Sequence, residues 1–223
     1  MTLPEVQIAP ADYNCRILNI EAMSRAHIHE EPYRYIVAND VLSHEAAVAI
    51  RADFPETNAS GFLAAEDLER RGAVDALLCD LESEKLAAVL SVKLGLTLTG
   101  RPRLITVRRW SRRSDGRIHT DSESKIATLL IYLNQSWDMT EGGAIRVLRS
   151  GRDFADYVRE VPPIEGAAFA FRRADNSWHG HLPYAGERLV VQLTYLVSAE
   201  AAGRKRRNAG IQGVFKRFFA PAA

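Results

Sequence analysis

The chain of 223 residues lacks most of the marks of a secreted, membrane-bound or repetitive protein. It has two cysteines, Cys15 and Cys79, which give neither a disulfide framework nor a zinc-ligand spacing and are expected as free thiols. No stretch approaches 18 continuous apolar residues, so no transmembrane segment is expected. The opening "MTLPEVQIAPADYNC" has no basic start followed by an apolar run, so it does not read as a secretion signal and a cytoplasmic setting follows. Internal repeats, low-complexity tracts and flexible linkers are missing as well. What remains is ordinary: 47% hydrophobic and 26% charged residues suit a soluble globular chain, long enough for one sizeable domain with a full core.

A formal net charge of +1 conceals an asymmetry. Beyond residue 200 there are six basic residues and no acid, which leaves 23 basic against 28 acidic, a net of −5, in the first 200. The first 200 residues therefore have no basic bias, and nucleic acid is not expected as a partner. The segment 201–223 places Ile211, Val214, Phe215, Phe218 and Phe219 at helical spacing among those basic residues. Two readings stay open for this basic amphipathic segment. It packs its aromatic stripe on its own domain, or it meets a partner or membrane surface.

Four residues carry the chemistry. His119 and Asp121 form an HxD pair in "GRIHTDSESK", His179 lies 60 positions later, and Arg188 follows nine residues after that. In extended chain, residues two apart point to one face, so His119 and Asp121 can meet one ion. Two imidazoles and a carboxylate cap one face of a metal and leave the other open, the facial arrangement of non-haem Fe(II) oxygenases. His181 competes with His179 for the third place.

Two strand patterns support this reading. "SKIATLLIYLN" reads as a long buried strand with Ile126, Thr128, Leu130 and Tyr132 on one face and Ala127, Leu129, Ile131 and Leu133 on the other. "ERLVVQLTYLV" places Arg188, Val190, Gln192 and Thr194 on one face and Leu189, Val191, Leu193 and Tyr195 on the other. A buried arginine is costly without an anionic partner, and its planar guanidinium suits the bidentate capture of a carboxylate. An edge strand with a solvated polar face is the alternative.

From about Pro102 to Val197, the motifs "HTD", "LLIYLNQSWDMTEGGAIRVL", "GAAFAF" and "NSWHGHLPYAGERLVVQL" occur in an order and spacing that resembles the Fe(II)/2-oxoglutarate-dependent dioxygenases, on the prolyl-4-hydroxylase-like branch. "YIVANDVLSHEAAVAI" upstream is similar to the strand-then-helix start common in that family. The resemblance implies that His119, Asp121 and His179 ligate iron. It also implies that Arg188 pairs with the distal carboxylate of 2-oxoglutarate and that Tyr132 hydrogen-bonds the same cosubstrate; Thr128 and Gln192, on the same strand faces, are candidates to line it. It implies a paired glycine turn at Gly142 and Gly143. Fe(II), 2-oxoglutarate and O2 are the implied cofactors, with ascorbate admitted alongside them.

The implied reaction releases succinate and CO2 and hydroxylates an unactivated carbon of a small metabolite or a protein side chain. Where relatives carry a second cosubstrate tyrosine, this chain has Arg109 and Trp110. With Arg108, Trp137 and Trp178, these flank the expected site and are candidates for substrate contact. The alternative function is a jelly-roll protein that binds metal or ligand without turnover.

The fold expected is mainly β with supporting helices, a double-stranded β-helix of jelly-roll type. One domain spans 1–200, with helical support over about 40–98 and a jelly-roll core over about 100–198. A strand is expected over Tyr33 to Ala38, and Ser43 is expected to cap a helix running to about Phe54. "AAEDLERRG" reads as a helix, and two more follow in "AVDALLCDLESEKLAAVLSVKLG", broken near Ser83 and ended by Gly95. "HIHE" at His27 to Glu30 reads as a polar strand or loop. "RDFADYVRE" reads as a short helical insertion beside the site.

Overall fold

Serine caps and apolar stripes account for the helices. In the computed structural model, which describes residues 17–69 and 71–207, the chain begins with α1 (Ile20–Arg25), β1 (Ile28–His29), β2 (Tyr35–Ala38) and α2 (His44–Ala52). It continues through β3 (Leu63–Ala64), α3 (Gly72–Glu82) and α4 (Glu84–Leu94). Then come β4 (Arg103–Ser111), β5 (Lys125–Tyr132), β6 (Ile145–Leu148), β7 (Tyr157–Val161), β8 (Ala168–Arg172), β9 (His179–His181) and β10 (Gly186–Leu196).

Ser43 Oγ accepts from the Ala46 amide at the start of α2, a cap that contributes about 1 kcal/mol. Ser83 ends α3 and caps α4 through the Leu86 amide. Gly95 ends α4 in a left-handed conformation (φ 64°) that a side chain would resist. Three of the expected helical features are thus in place.

Two expectations are corrected. "AAEDLERRG" forms a single 3-10 turn at Ala65–Asp67, because its acids and arginines offer too little apolar face to hold a longer helix against the sheet. "RDFADYVRE" is a turn leading into β7, not a helix. There Tyr157, Val158 and Arg159 are exposed and Val161 is buried, as suits the edge strand of the small sheet.

All pairings within the two sheets are antiparallel. The seven-stranded sheet runs β1-β2-β8-β5-β10-β4-β3 and the three-stranded sheet runs β7-β6-β9. The face assignments made from the alternation of β5 and β10 are borne out except at Ile126, which packs on the helical core where a register shift between Ala127 and Lys125 breaks the alternation. Ala127, Leu129, Ile131, Leu189, Val191 and Leu193 join the core shared with Leu77, Leu81, Leu86, Leu90 and Leu94 of the helices. Each of those fully buried leucines contributes roughly 1.5–3 kcal/mol of transfer free energy. Leu130, Tyr132 and Val190 face the other way and pack against Ile145, Val147 and Val161 of the small sheet. The space between the two sheets, and not the helical layer, is therefore where the polar residues of β5 and β10 point.

After β10, residues 199–207 form a helix whose Ala201 and Ala202 are buried, and Arg206 pairs with Glu66. Ile211, Val214, Phe215, Phe218 and Phe219 lie outside the described residues. Cys79 is disulfide-bonded, against the expectation of a free thiol, and Cys15 lies outside the described residues. Among the described residues, no helix is long and apolar enough to cross a membrane.

Candidate active site

A reciprocal pair of backbone hydrogen bonds closes the 60-residue gap between the two histidines. His119 N donates to His179 O and His179 N to His119 O, both at 3.0 Å, so the HxD segment is stitched to β9 as an isolated antiparallel bridge. The imidazoles then meet with centroids 4.4 Å apart. One ligand atom from each of His119, Asp121 and His179 lies within 4.8 Å of the others, a group that could hold a metal ion.

Each side chain is oriented by a second contact. His119 Nδ1 donates to Arg117 O and His179 Nδ1 to Ser177 O, both at 2.8 Å. A carbonyl only accepts, so each ring holds a proton on Nδ1 and leaves Nε2 as the atom available to a metal. Burial and the neighbouring His119 push the His179 pKa down to about 4, against the pull of Asp121, so its ring is neutral at physiological pH. Asp121 is buried, which by itself would raise its pKa. Lys125, His179 and Thr128 overcome that and hold the carboxyl at about 2. The Lys125 ammonium donates to Oδ1 and the Thr128 hydroxyl to Oδ2, each at 2.6 Å. Lys125 has no place among the site residues expected from sequence, although it stands four residues from Asp121 at the mouth of β5.

Three inward rows of side chains follow from the strand register. Phe171 and Thr128 stand in one row with Thr194, while Phe169, Leu130, Gln192 and Thr106 form the next. Tyr132, Val190 and Arg108 form the third. Between these rows and Ile145 of the small sheet lies a cavity of about 260 Å³, lined by all three candidate ligands and by Arg188, Thr128 and Gln192.

Arg188 is 3% exposed, donates from Nε to Gly143 O at 2.9 Å, and lies over the Tyr132 ring with Cζ 5.3 Å from its centroid. Burial depresses the pKa of this guanidinium and raises that of the Tyr132 phenol, and each group's proximity opposes the other's shift. The Tyr132 hydroxyl makes no well-formed hydrogen bond among the described residues. Gln192 Nε2 donates to Thr194 Oγ1 at 3.1 Å.

Residues 106–195 match the family model described as the 2OG-Fe(II) oxygenase superfamily. The chain carries a 2OG-Fe(II) oxygenase domain. It is thus a 2-oxoglutarate-dependent dioxygenase, and Fe(II) and 2-oxoglutarate are the cofactors this superfamily implies. Its fold is similar to that of a Pseudomonas putida prolyl-4-hydroxylase, at TM-score 0.55 and 18% identity over 79% of this chain and 90% of that one. It is also similar to a prolyl 4-hydroxylase from Phytophthora capsici, at TM-score 0.52 and 21% identity over 82% of this chain and 68% of that one. No curated protein matches the chain in sequence.

Of the five residues expected to flank the site, the oxygenase cavity takes in Arg108 and leaves out Arg109, Trp110, Trp137 and Trp178. Arg109 points away and pairs with Glu56 at 3.1 Å and Glu187 at 3.0 Å. Trp110 lies beside Ser60 and Gly61 at the end of β4. Trp137 donates to Gly142 O and leans on Tyr184, and Trp178 covers Gly151. Arg108, one residue before Arg109, lines the cavity together with Phe62, Phe171 and His181. Strand alternation is the signal that separates it from Arg109. Ile105 and Val107 face the helical core, so Arg109 shares their side and Arg108 the opposite one.

Proposed function

We propose that this dioxygenase is a hydroxylase of unactivated carbon, built on a double-stranded β-helix. The proposed domain spans 1–200, with its helical layer over about 40–98 and its jelly-roll core over about 100–198. His119, Asp121 and His179 are the residues that would hold Fe(II). The observation that carries this is the donor set itself, two imidazoles held through Nδ1 by backbone carbonyls and a carboxylate kept ionised. Bound there with 2-oxoglutarate, the iron supplies oxygen activation, in which the cosubstrate is decarboxylated to succinate and CO2 and one oxygen atom is left for the substrate.

The protein's part is orientation and exclusion of water. Arg188, buried and fixed through Gly143 O, offers its remaining N–H groups to the distal carboxylate of 2-oxoglutarate. The orphan hydroxyl of Tyr132 beside it gains a partner when that carboxylate arrives. Lys125 and Thr128 occupy the second positions on Asp121, which fixes the direction in which the carboxylate points. Phe171, Leu130 and Ile145 exclude water from the reacting centre. His181 is less suited to ligate iron, because it lies outside the metal-sized cluster. The substrate is a small metabolite or a protein side chain.

An anaerobic titration of the Fe(II)-loaded protein with 2-oxoglutarate tests the reading. Bidentate chelation is expected to give a weak visible charge-transfer band, absent in His179→Ala and weakened in Arg188→Ala. Iron binding without a band in the wild type refutes it.

A further inference from the structure

The cavity holds one more cation than the oxygenase reading uses. Arg108 enters from β4, across Val190 from Tyr132, and its side chain is 11% exposed. Its Nε has no hydrogen-bond partner among the described residues. Its other contacts are weak: Ser111 Oγ at 3.4 Å, Asp115 Oδ2 at 3.7 Å and the face of Phe62 with Cζ 4.3 Å from the centroid. Desolvation and repulsion from Arg188 depress its pKa to about 10, which leaves it charged at neutral pH yet poorly compensated.

A charge count shows what is missing. The lining contains Arg108, Lys125 and Arg188 against Asp121 alone, a formal +2. Fe(II) and the two carboxylates of 2-oxoglutarate cancel each other. Asp115, at the rim, offsets about half of the remainder, so roughly one negative charge is still wanted.

The neighbouring His181 adds a polar demand of another kind. Its Nδ1 donates to Leu182 O at 2.9 Å, so its buried Nε2 is an acceptor with no partner among the described residues. A substrate group placed here would therefore bring an acceptor for Arg108, and an N–H or O–H for His181. The cavity of about 260 Å³ falls below the ~300–1,000 Å³ of drug-sized ligand sites, so only one short arm of a substrate enters beside the cosubstrate.

We infer that Arg108 seats a carboxylate of the substrate, and so makes this a hydroxylase of carboxylate-bearing substrates. This rests on the proposed function and specifies its substrate class.

The test uses full-length protein with two panels of probes. One arm holds free acids, namely the L-amino acids and short aliphatic mono- and dicarboxylates, with their carboxamides as neutral controls. The other holds short blocked peptides containing Asp or Glu, with Asn and Gln counterparts. Succinate release and the thermal midpoint of Mn(II)- and 2-oxoglutarate-loaded protein are both read, the second without turnover.

At least one acid is expected to stimulate succinate release tenfold or more over its neutral counterpart and to raise the midpoint. The arm in which it falls tells a free acid from an acidic side chain. Arg108→Gln should abolish the preference for acid over amide, while the calorimetric 2-oxoglutarate Kd changes less than threefold. Arg108→Lys should keep part of the preference and serves if the glutamine variant folds poorly. Three results would each overturn the inference: amides performing as well as acids, no acid acting in either panel, or Arg108→Gln weakening 2-oxoglutarate tenfold, which would make Arg108 a cosubstrate residue. A wild type that binds no 2-oxoglutarate at all would instead refute the proposed function.

Discussion

Replacing Thr128 by valine isolates one hydrogen bond at the proposed metal centre. Valine keeps the branching of threonine and removes the hydroxyl that donates to Asp121 Oδ2 at 2.6 Å. That bond is buried and its acceptor is ionised, so about 1.5–3 kcal/mol is lost, the range for hydrogen bonds to charged groups. Lys125 remains on Oδ1, so the carboxylate stays charged but becomes free to rotate about its lysine contact.

At about 1.4 kcal/mol per tenfold change, the loss corresponds to roughly 10- to 100-fold in metal affinity, the usual cost of removing a group that orients a ligand. Calorimetric titration of the metal-free protein with Mn(II) at pH 7.5 measures it directly. A parallel titration of the metal-loaded protein with 2-oxoglutarate supplies the control. A metal Kd within twofold of wild type refutes the argument. If the 2-oxoglutarate Kd alone rises, Thr128 acts on the cosubstrate, as the strand face it shares with Tyr132 suggests, and not through Asp121.

Three other outcomes are expected. Arg188→Lys keeps the charge but loses the planar fork and the Nε bond to Gly143 O. It should raise the 2-oxoglutarate half-saturation by roughly 10-fold or more while the metal Kd stays within threefold, as read by succinate release and calorimetry. Gly143→Ala should weaken 2-oxoglutarate binding without removing any cosubstrate contact. Its φ is 77° and a Cβ there would lie 2.5 Å from Trp137, so the carbonyl that fixes Arg188 must move; an unchanged 2-oxoglutarate Kd would exclude this. Tyr195 is buried without a partner for its hydroxyl among the described residues, and burial, opposed by Arg103, raises its pKa from 10.0 to about 12. The unfolded chain ionises first, so this group lowers stability as pH rises from about 10 to 12. Tyr195→Phe should flatten that fall in urea midpoints and cost nothing at pH 7.

Legibility from sequence tracked periodicity. The alternation in β5 and β10 assigned the faces of both strands from Ala127 and Arg188 onward, because the inner and outer environments differ sharply, and failed only at Ile126, where a bulge shifts the period. Ser43, Ser83 and Gly95 marked helix ends through local hydrogen bonds and a left-handed residue, which depend on a few neighbours only. The same logic, carried along β4, separates Arg108 from Arg109. Distance from the HxD motif does not, since it ignores which way the pleat points. "RDFADYVRE" is ambiguous locally and becomes a strand because β6 offers it an edge to pair with.

By itself the sequence determined the donor types, the two inward strand faces and the family to which the motifs belong. These are encoded in residue identity, spacing and order along the chain. Tertiary structure alone decided that His119 and His179 share a backbone bridge across 60 residues, and that Lys125 and Thr128 grip Asp121. It likewise decided that Arg108 stands across Val190 from Tyr132 while four other candidates point elsewhere. Those relations arise from strand pairing, where register brings distant residues within hydrogen-bonding reach and burial makes each unpaired polar group count.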